Sequence, residues 1–169
     1  MITRALWEGI IWSILWILYV YMLLKFFPWE MVHEYPDDIK KACTMATPTS
    51  KQVKKGKFAS AIYSLFLFAV LIFFGFRAYQ NMDYNYLQLF IYLWVIAFVW
   101  NLLDLLIVDW LIVCIITPRW VVLEGTQGCK GYKNYGFHFK GFLIGCVYTT
   151  IMAALFAGID FALLKWLIR

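Results

Sequence analysis

Four stretches of this chain are long and apolar enough to cross a bilayer, and too little chain remains to bury them in any other way. About 20 mostly apolar residues cross roughly 30 Å of hydrocarbon as an α-helix. The stretches run approximately over residues 5–27, 58–79, 84–117 and 137–167. They predict an all-α membrane protein with a single domain over 1–169. Its fold is expected to be a four-transmembrane-helix antiparallel bundle with long third and fourth helices. Only 15% of the residues are charged and 64% are hydrophobic, whereas roughly a quarter of a soluble chain is charged. Bulky residues from Leu24 to Phe27 follow the first stretch where a cleavage site would need small ones, so it reads as a retained helix.

Neither Pro nor Gly interrupts Tyr84 to Thr117. A continuous helix there would extend about 50 Å, beyond the bilayer and alongside the fourth helix. The alternative is a third span ending near Asp104, followed by a short interfacial helix. The few residues around Gln80 to Asp83 make the second and third spans a hairpin.

Basic residues near helix ends set orientation. Lys25, Lys40, Lys41, Lys51, Lys54, Lys55, Lys57, Arg119, Lys130, Lys133 and Lys140 fall on one side; Arg4, Arg77, Lys165 and Arg169 fall on the other. The loops 28–57 and 118–136 are therefore expected in the cytoplasm and both termini outside, although Arg4 and the terminal amine alone favour the reverse. The net charge of +5 is explained by this asymmetry and by anionic head groups. No nucleic-acid motif accompanies it.

Within the loops, Tyr35-Pro36-Asp37-Asp38 reads as a turn and an acidic helix start. Thr47 to Ser50 reads as a second cap, which puts the start of the second helix near Ser50. The run Trp120-Val121-Val122-Leu123 is expected to open a short β-hairpin among Gly125, Gly128, Gly131 and Gly136. Those glycines, with Lys130 and Lys133, read as turn chemistry because they lack the context of a nucleotide loop. The four cysteines form no C-x-x-C pair and read as reduced thiols.

Gly141, Gly145, Thr149, Ala153 and Ala157 recur every four residues, a row that lets another helix approach closely. The favoured partner is a helix of this chain. A homo-oligomer through Gly141, Gly145, Ala153 and Ala157 is the alternative, and membrane lipids are the other expected partners. Trp12, Trp16, Trp94 and Trp100 lie deep in the spans and are expected to fill the bundle.

An acid in a membrane helix costs several kcal/mol unless it is paired or wetted, so Asn101, Asp104 and Asp109 mark the candidate site. On an α-helix Asn101 lies about 60° from Asp104 and 80° from Asp109, so all three can face inward. In a hairpin with the fourth helix, Asp104 comes level with the hydroxyls of Thr149 and Thr150, and Asp109 with Gly145. The expected ligand site is therefore Asn101, Asp104, Asp109, Thr149 and Thr150. His33 and His138 sit at the same end of the spans and, with Asp109, are the candidate acid–base groups. His33, Glu34, His138 and Asp109 offer ligand types for zinc or iron, but their spacing matches no metal motif and no metal is predicted. No cofactor is indicated. Toward the opposite end, Glu8, Arg77 and Asp160 are expected to form a buried ion pair or triad.

The leading functional expectation is a protein that binds or transports a small cationic or amphipathic, lipid-like molecule in an intramembrane polar pocket. The alternatives are a membrane-embedded enzyme acting on a lipid-like substrate at the cytoplasmic face, and a structural subunit of a membrane complex.

Overall fold

The computed structural model describes residues 1–168, which leaves Arg169 of the orientation argument outside the described residues. Among these residues the secondary structure is entirely helical. Helix α1 covers Ile2–Phe26, α2 Pro28–Met31, α3 Asp37–Ala42, α4 Ser50–Tyr79, α5 Tyr86–Leu103 and α6 Tyr135–Leu167. A π-helical segment, Asp104–Ile116, continues α5, so the third span is one uninterrupted helix of 31 residues. Four helices are long and apolar enough to cross a membrane: Ile2–Phe26, Ser50–Tyr79, Tyr86–Ile116 and Tyr135–Leu167.

Local chemistry explains the starts. Thr49 caps α4 by accepting from the Gln52 backbone N–H, and Gln52 accepts in return from the Thr49 N–H. Asn85 and Gln88 make the same reciprocal box at α5. Each box satisfies two donors that a helix start otherwise leaves open. The π segment ends at Thr117, whose φ of 46° is left-handed. A β-branched residue is strained there. The Thr117 hydroxyl donates to the Val113 carbonyl, and the Lys133 ammonium caps the carbonyls of Cys114 and Ile115. Those bonds satisfy carbonyls that a helix end leaves free.

The main core lies between the four long helices. Trp12, Leu67, Leu71, Leu93, Ile96, Ala97, Ala153, Ala157 and Leu164 are its buried centre. The Trp12 indole donates to the Leu67 carbonyl and ties α1 to α4. At Gly9, α1 comes so close to α5 that a side chain would meet Val99 and the Ile96 carbonyl. The small-residue row of α6 is largely used inside the chain: Thr149, Ala153 and Ala157 are buried, Gly145 lies against Asn101, and only the Gly141 end is open.

A second core, Leu24, Tyr35, Ile39, Val113, Val121, Leu123 and Tyr132, closes the loop end of the molecule. It replaces the expected β-hairpin. Residues 118–129 form successive turns, with Gly125 and Gly128 at positive φ. Their backbone groups bond to side chains and turn neighbours: the Tyr132 hydroxyl accepts from the Leu123 N–H, and Tyr35 donates to the Val121 carbonyl. The apolar run suggested a strand, but here Val121 and Leu123 are buried in a core that α3 completes, with Trp120 and Val122 packed partly against it. Burial pushes the phenols of both Tyr35 and Tyr132 above their ordinary pKa. Gly125 and Gly128 are turn residues, whereas Gly131 lies in the 3-10 turn Lys130–Lys133, its N–H donating to Asp38, and Gly136 lies in the first turn of α6.

Candidate polar cavity

A cavity of about 950 Å³ opens between α1, α4, the third span and α6. His33, Asn101, Asp104, Asp109 and His138, five residues singled out from sequence, all line it. The winding of the third span explains how one helix presents both acids. On an α-helix Asp104 and Asp109 would lie about 140° apart. In π winding the backbone bond joins residues five apart, so Asp109 sits roughly one turn beyond Asp104 on the same side.

Asp109 and His138 form a pair, with Oδ1 at 2.8 Å from Nδ1, and both side chains are largely shielded. A carboxylate on Nδ1 holds a neutral imidazole in the tautomer whose Nε2 is free to accept a proton. His33 Nε2 lies 2.8 Å from Glu34, but that pair is mostly exposed. Asp104 has no basic partner within ion-pair distance among the described residues. The Asn101 amide donates to the Phe142 carbonyl at 3.1 Å and pins the third span to α6.

Thr149 and Thr150 do not belong to this site. Both hydroxyls donate to the Cys146 carbonyl of their own helix, and Thr150 also accepts from the Trp94 indole. Counting back from the loop placed them opposite Asp104, but the two helices pair several residues out of that register: Trp94 is level with Thr150, Asn101 with Phe142 to Cys146, and Asp109 meets His138 instead of Gly145. A π turn holds more residues than an α turn and so advances less per residue, which supplies part of the offset; the earlier start of α6 at Tyr135 adds to it.

Sequence reasoning missed Glu30, Ser60, Ser64, Lys140 and Tyr148 on the wall. Ser60 and Ser64 are four apart in the otherwise apolar run from Phe58 to Phe76 of α4, a one-face polar signal that could have found them. The remaining wall is apolar and has an aromatic flank: Trp16 stacks on Trp100 at 4.6 Å, and Tyr19 lies beside Trp16. The Trp16 indole N–H is buried without a partner among the described residues. The cavity thus has a charged end rich in carboxylates and an aromatic flank. The chain matches no family model, no curated protein and no solved structure. The geometry alone has to carry the functional argument.

No group of three or more His, Cys, Asp or Glu side chains among the described residues is arranged to hold a metal ion. Toward the other end, the expected Glu8–Arg77–Asp160 cluster does not form. Glu8 pairs with Arg4 at 2.8 Å and accepts from the Tyr92 hydroxyl, while Arg77 is exposed. Asp160 is fully buried with neither oxygen hydrogen-bonded among the described residues, packed where α4 passes at Gly75. The three lie on different helix faces, and Arg4, one turn before Glu8, is the nearer base.

Proposed function

We propose that this chain is an integral membrane protein, an antiparallel bundle of four transmembrane helices, that holds a lipid-like molecule with a cationic head. Insertion is supported by the broad apolar surface that the long helices leave uncovered: Leu65, Tyr148 and Leu155 are each about two-thirds exposed. A soluble monomer rarely leaves so much apolar surface open. The excess of lysine on the loop side supports a cytoplasmic position for those loops.

One observation carries the ligand assignment. Glu30, Glu34, Asp104 and Asp109 line one cavity with Lys140 as its only lysine or arginine, beside a wall of Trp16, Tyr19 and Trp100. Carboxylates match a cationic head by charge, and aromatic faces attract quaternary ammonium groups as well as apolar chains. Along α6 the lining runs from Phe137 to Tyr148, about 16 Å at the rise of an α-helix, enough for a head and part of an alkyl chain.

The test is equilibrium binding of dodecyltrimethylammonium to the purified protein in nanodiscs. Asp104→Asn with Asp109→Asn should weaken binding at least about tenfold, a loss of about 1.4 kcal/mol. Equal affinity for dodecyl sulfate, or no change in the double variant, would overturn the charge assignment.

The Asp109–His138 pair favours a second reading, a membrane-embedded enzyme in which His138 Nε2 acts as general base on the bound head group. His138→Gln would then abolish turnover of the bound lipid while leaving its binding intact.

A further inference from the structure

A smaller cavity of about 510 Å³ lies at the loop end, lined by Trp29, Lys40, Cys43, Thr47 and Pro48 among others. It shares two residues with the larger cavity, Glu30 and His33, and no others. Glu30 is held in place from behind: its carboxylate and the Phe27 ring pack over Gly56 of α4, where a larger residue would displace them. The walls of the small chamber are loop residues and the ends of short helices. Its Trp29 indole N–H, like that of Trp16 in the large chamber, is buried without a partner among the described residues.

The large cavity has a different opening. Helices α4 and α6 touch where Asp160 packs at Gly75 and where Phe68 meets Phe156, with ring centroids 5.2 Å apart. Nearer the loops the cavity reaches both helices: Ser60 and Ser64 of α4 and Ile144 and Tyr148 of α6 line it. Ile144 and Tyr148 are both exposed. The gap is therefore flanked by two serines on α4 and two outward-facing apolar side chains on α6, whereas the small chamber lies among the loops, with Lys40, Glu30 and His33 beside Trp29, Val32, Met45 and Val53.

We infer that the site has two entrances: the alkyl chain enters sideways between α4 and α6, and the small chamber among the loops is the water-side route to the head group, joined to the first at Glu30 and His33. This rests on the binding reading above and extends it. A ligand seated with its head near Glu30, His33 and the Asp109–His138 pair keeps its chain among apolar surfaces. Its head group stays within reach of water and of small polar reactants on the loop side. A site built only for carriage across the membrane has no need of a polar chamber that stops at the head group. A site that works on or exchanges head groups does.

Cys43 on the chamber wall is a native reporter. In a variant with Cys114, Cys129 and Cys146 replaced by Ser, the cationic, membrane-impermeant reagent MTSET would be added to protein in nanodiscs. A second variant, with Cys43 also replaced and Ser64→Cys introduced, would be labelled with N-ethylmaleimide. Dodecyltrimethylammonium at about ten times its Kd should slow both reactions about tenfold, as mass action requires of a blocked site. Adding Glu30→Leu, which fills the junction, should abolish protection at Cys43 and leave it at Ser64→Cys. Protection at Ser64→Cys alone would leave binding standing and overturn the water-side route. Protection at Cys43 alone would overturn the lateral route. Protection at neither would overturn the binding reading itself. A folding defect would appear as a lost size-exclusion peak, and Glu30→Gln then serves as the milder variant: it removes the charge while keeping the shape, and should weaken probe binding without separating the two reporters.

Discussion

Asp160 makes the sharpest prediction about stability. Its side chain is completely buried, neither carboxylate oxygen has a hydrogen-bond partner among the described residues, and it fills the space beside Gly75. Leaving a buried polar group unsatisfied costs about 1–3 kcal/mol. Asp160→Ala removes that cost and leaves a void of roughly one carboxyl group, worth well under about 1 kcal/mol at 24 cal/mol per Å³. The variant should therefore be more stable than the parent by about 1 kcal/mol. Gly75→Ala does the reverse, since its methyl group would collide with the carboxylate and also press on Leu93. Overpacking of this kind costs about 1–3 kcal/mol. In the double variant the new methyl occupies the vacated space, so the two changes should be non-additive by about 1–2 kcal/mol. Unfolding by SDS in mixed micelles, followed by tryptophan fluorescence, measures all four proteins. A loss of about 2 kcal/mol or more in Asp160→Ala would mean the carboxyl has a partner. Additivity within about 0.5 kcal/mol would mean that Gly75 and Asp160 do not share space.

Three further outcomes are expected. Tyr35→Phe removes the hydrogen bond to the Val121 carbonyl and should cost about 1 kcal/mol or somewhat more in the same unfolding assay. The parent should lose stability as pH rises above 10.0, the ordinary tyrosine value, because burial keeps the folded phenol protonated while the unfolded one ionises; Tyr35→Phe should flatten that loss, and an unchanged alkaline slope would refute the assignment. Gly145→Ala should push the Asn101 amide off the Phe142 carbonyl and destabilise by about 1–3 kcal/mol, with Asn101→Ala largely suppressing the effect in a double-mutant cycle. Lys133→Met should fray the end of the π segment, read as faster amide exchange from Ile115 to Thr117, because it removes the cap on the Cys114 and Ile115 carbonyls.

The four long helices and the start of α4 at Ser50 are legible in the sequence because hydropathy and cap chemistry are local signals. The polar cluster is legible for a related reason: an acid in an apolar helix stands out whatever its partner, and His33, Asn101, Asp104, Asp109 and His138 do meet at one cavity. The pairing across helices is not legible. It depends on where the two helices begin and on the advance per residue, and nothing in the run Asp104–Ile116 announces a winding other than α. The resulting register leaves Thr149 and Thr150 off the cavity wall and brings His138 to Asp109. The strand expected at Trp120 failed because a short apolar run records only that residues are to be buried, and a turn-rich cap against α3 buries Val121 and Leu123 as a sheet would. Asp160 lacks its expected partner because face assignment on one helix does not say where arginines on another helix point.

The wide winding of the third span also makes the Asp109–His138 contact conditional. A five-residue ladder can be exchanged for a four-residue one by sliding each carbonyl to its next-nearest amide, with no covalent change and no loss in the number of bonds. Every residue past the exchange then rotates about the helix axis, and Asp109 leaves the side that faces His138. Whatever favours the tighter ladder dismantles the pair, and whatever grips both carboxylates at once holds the helix open.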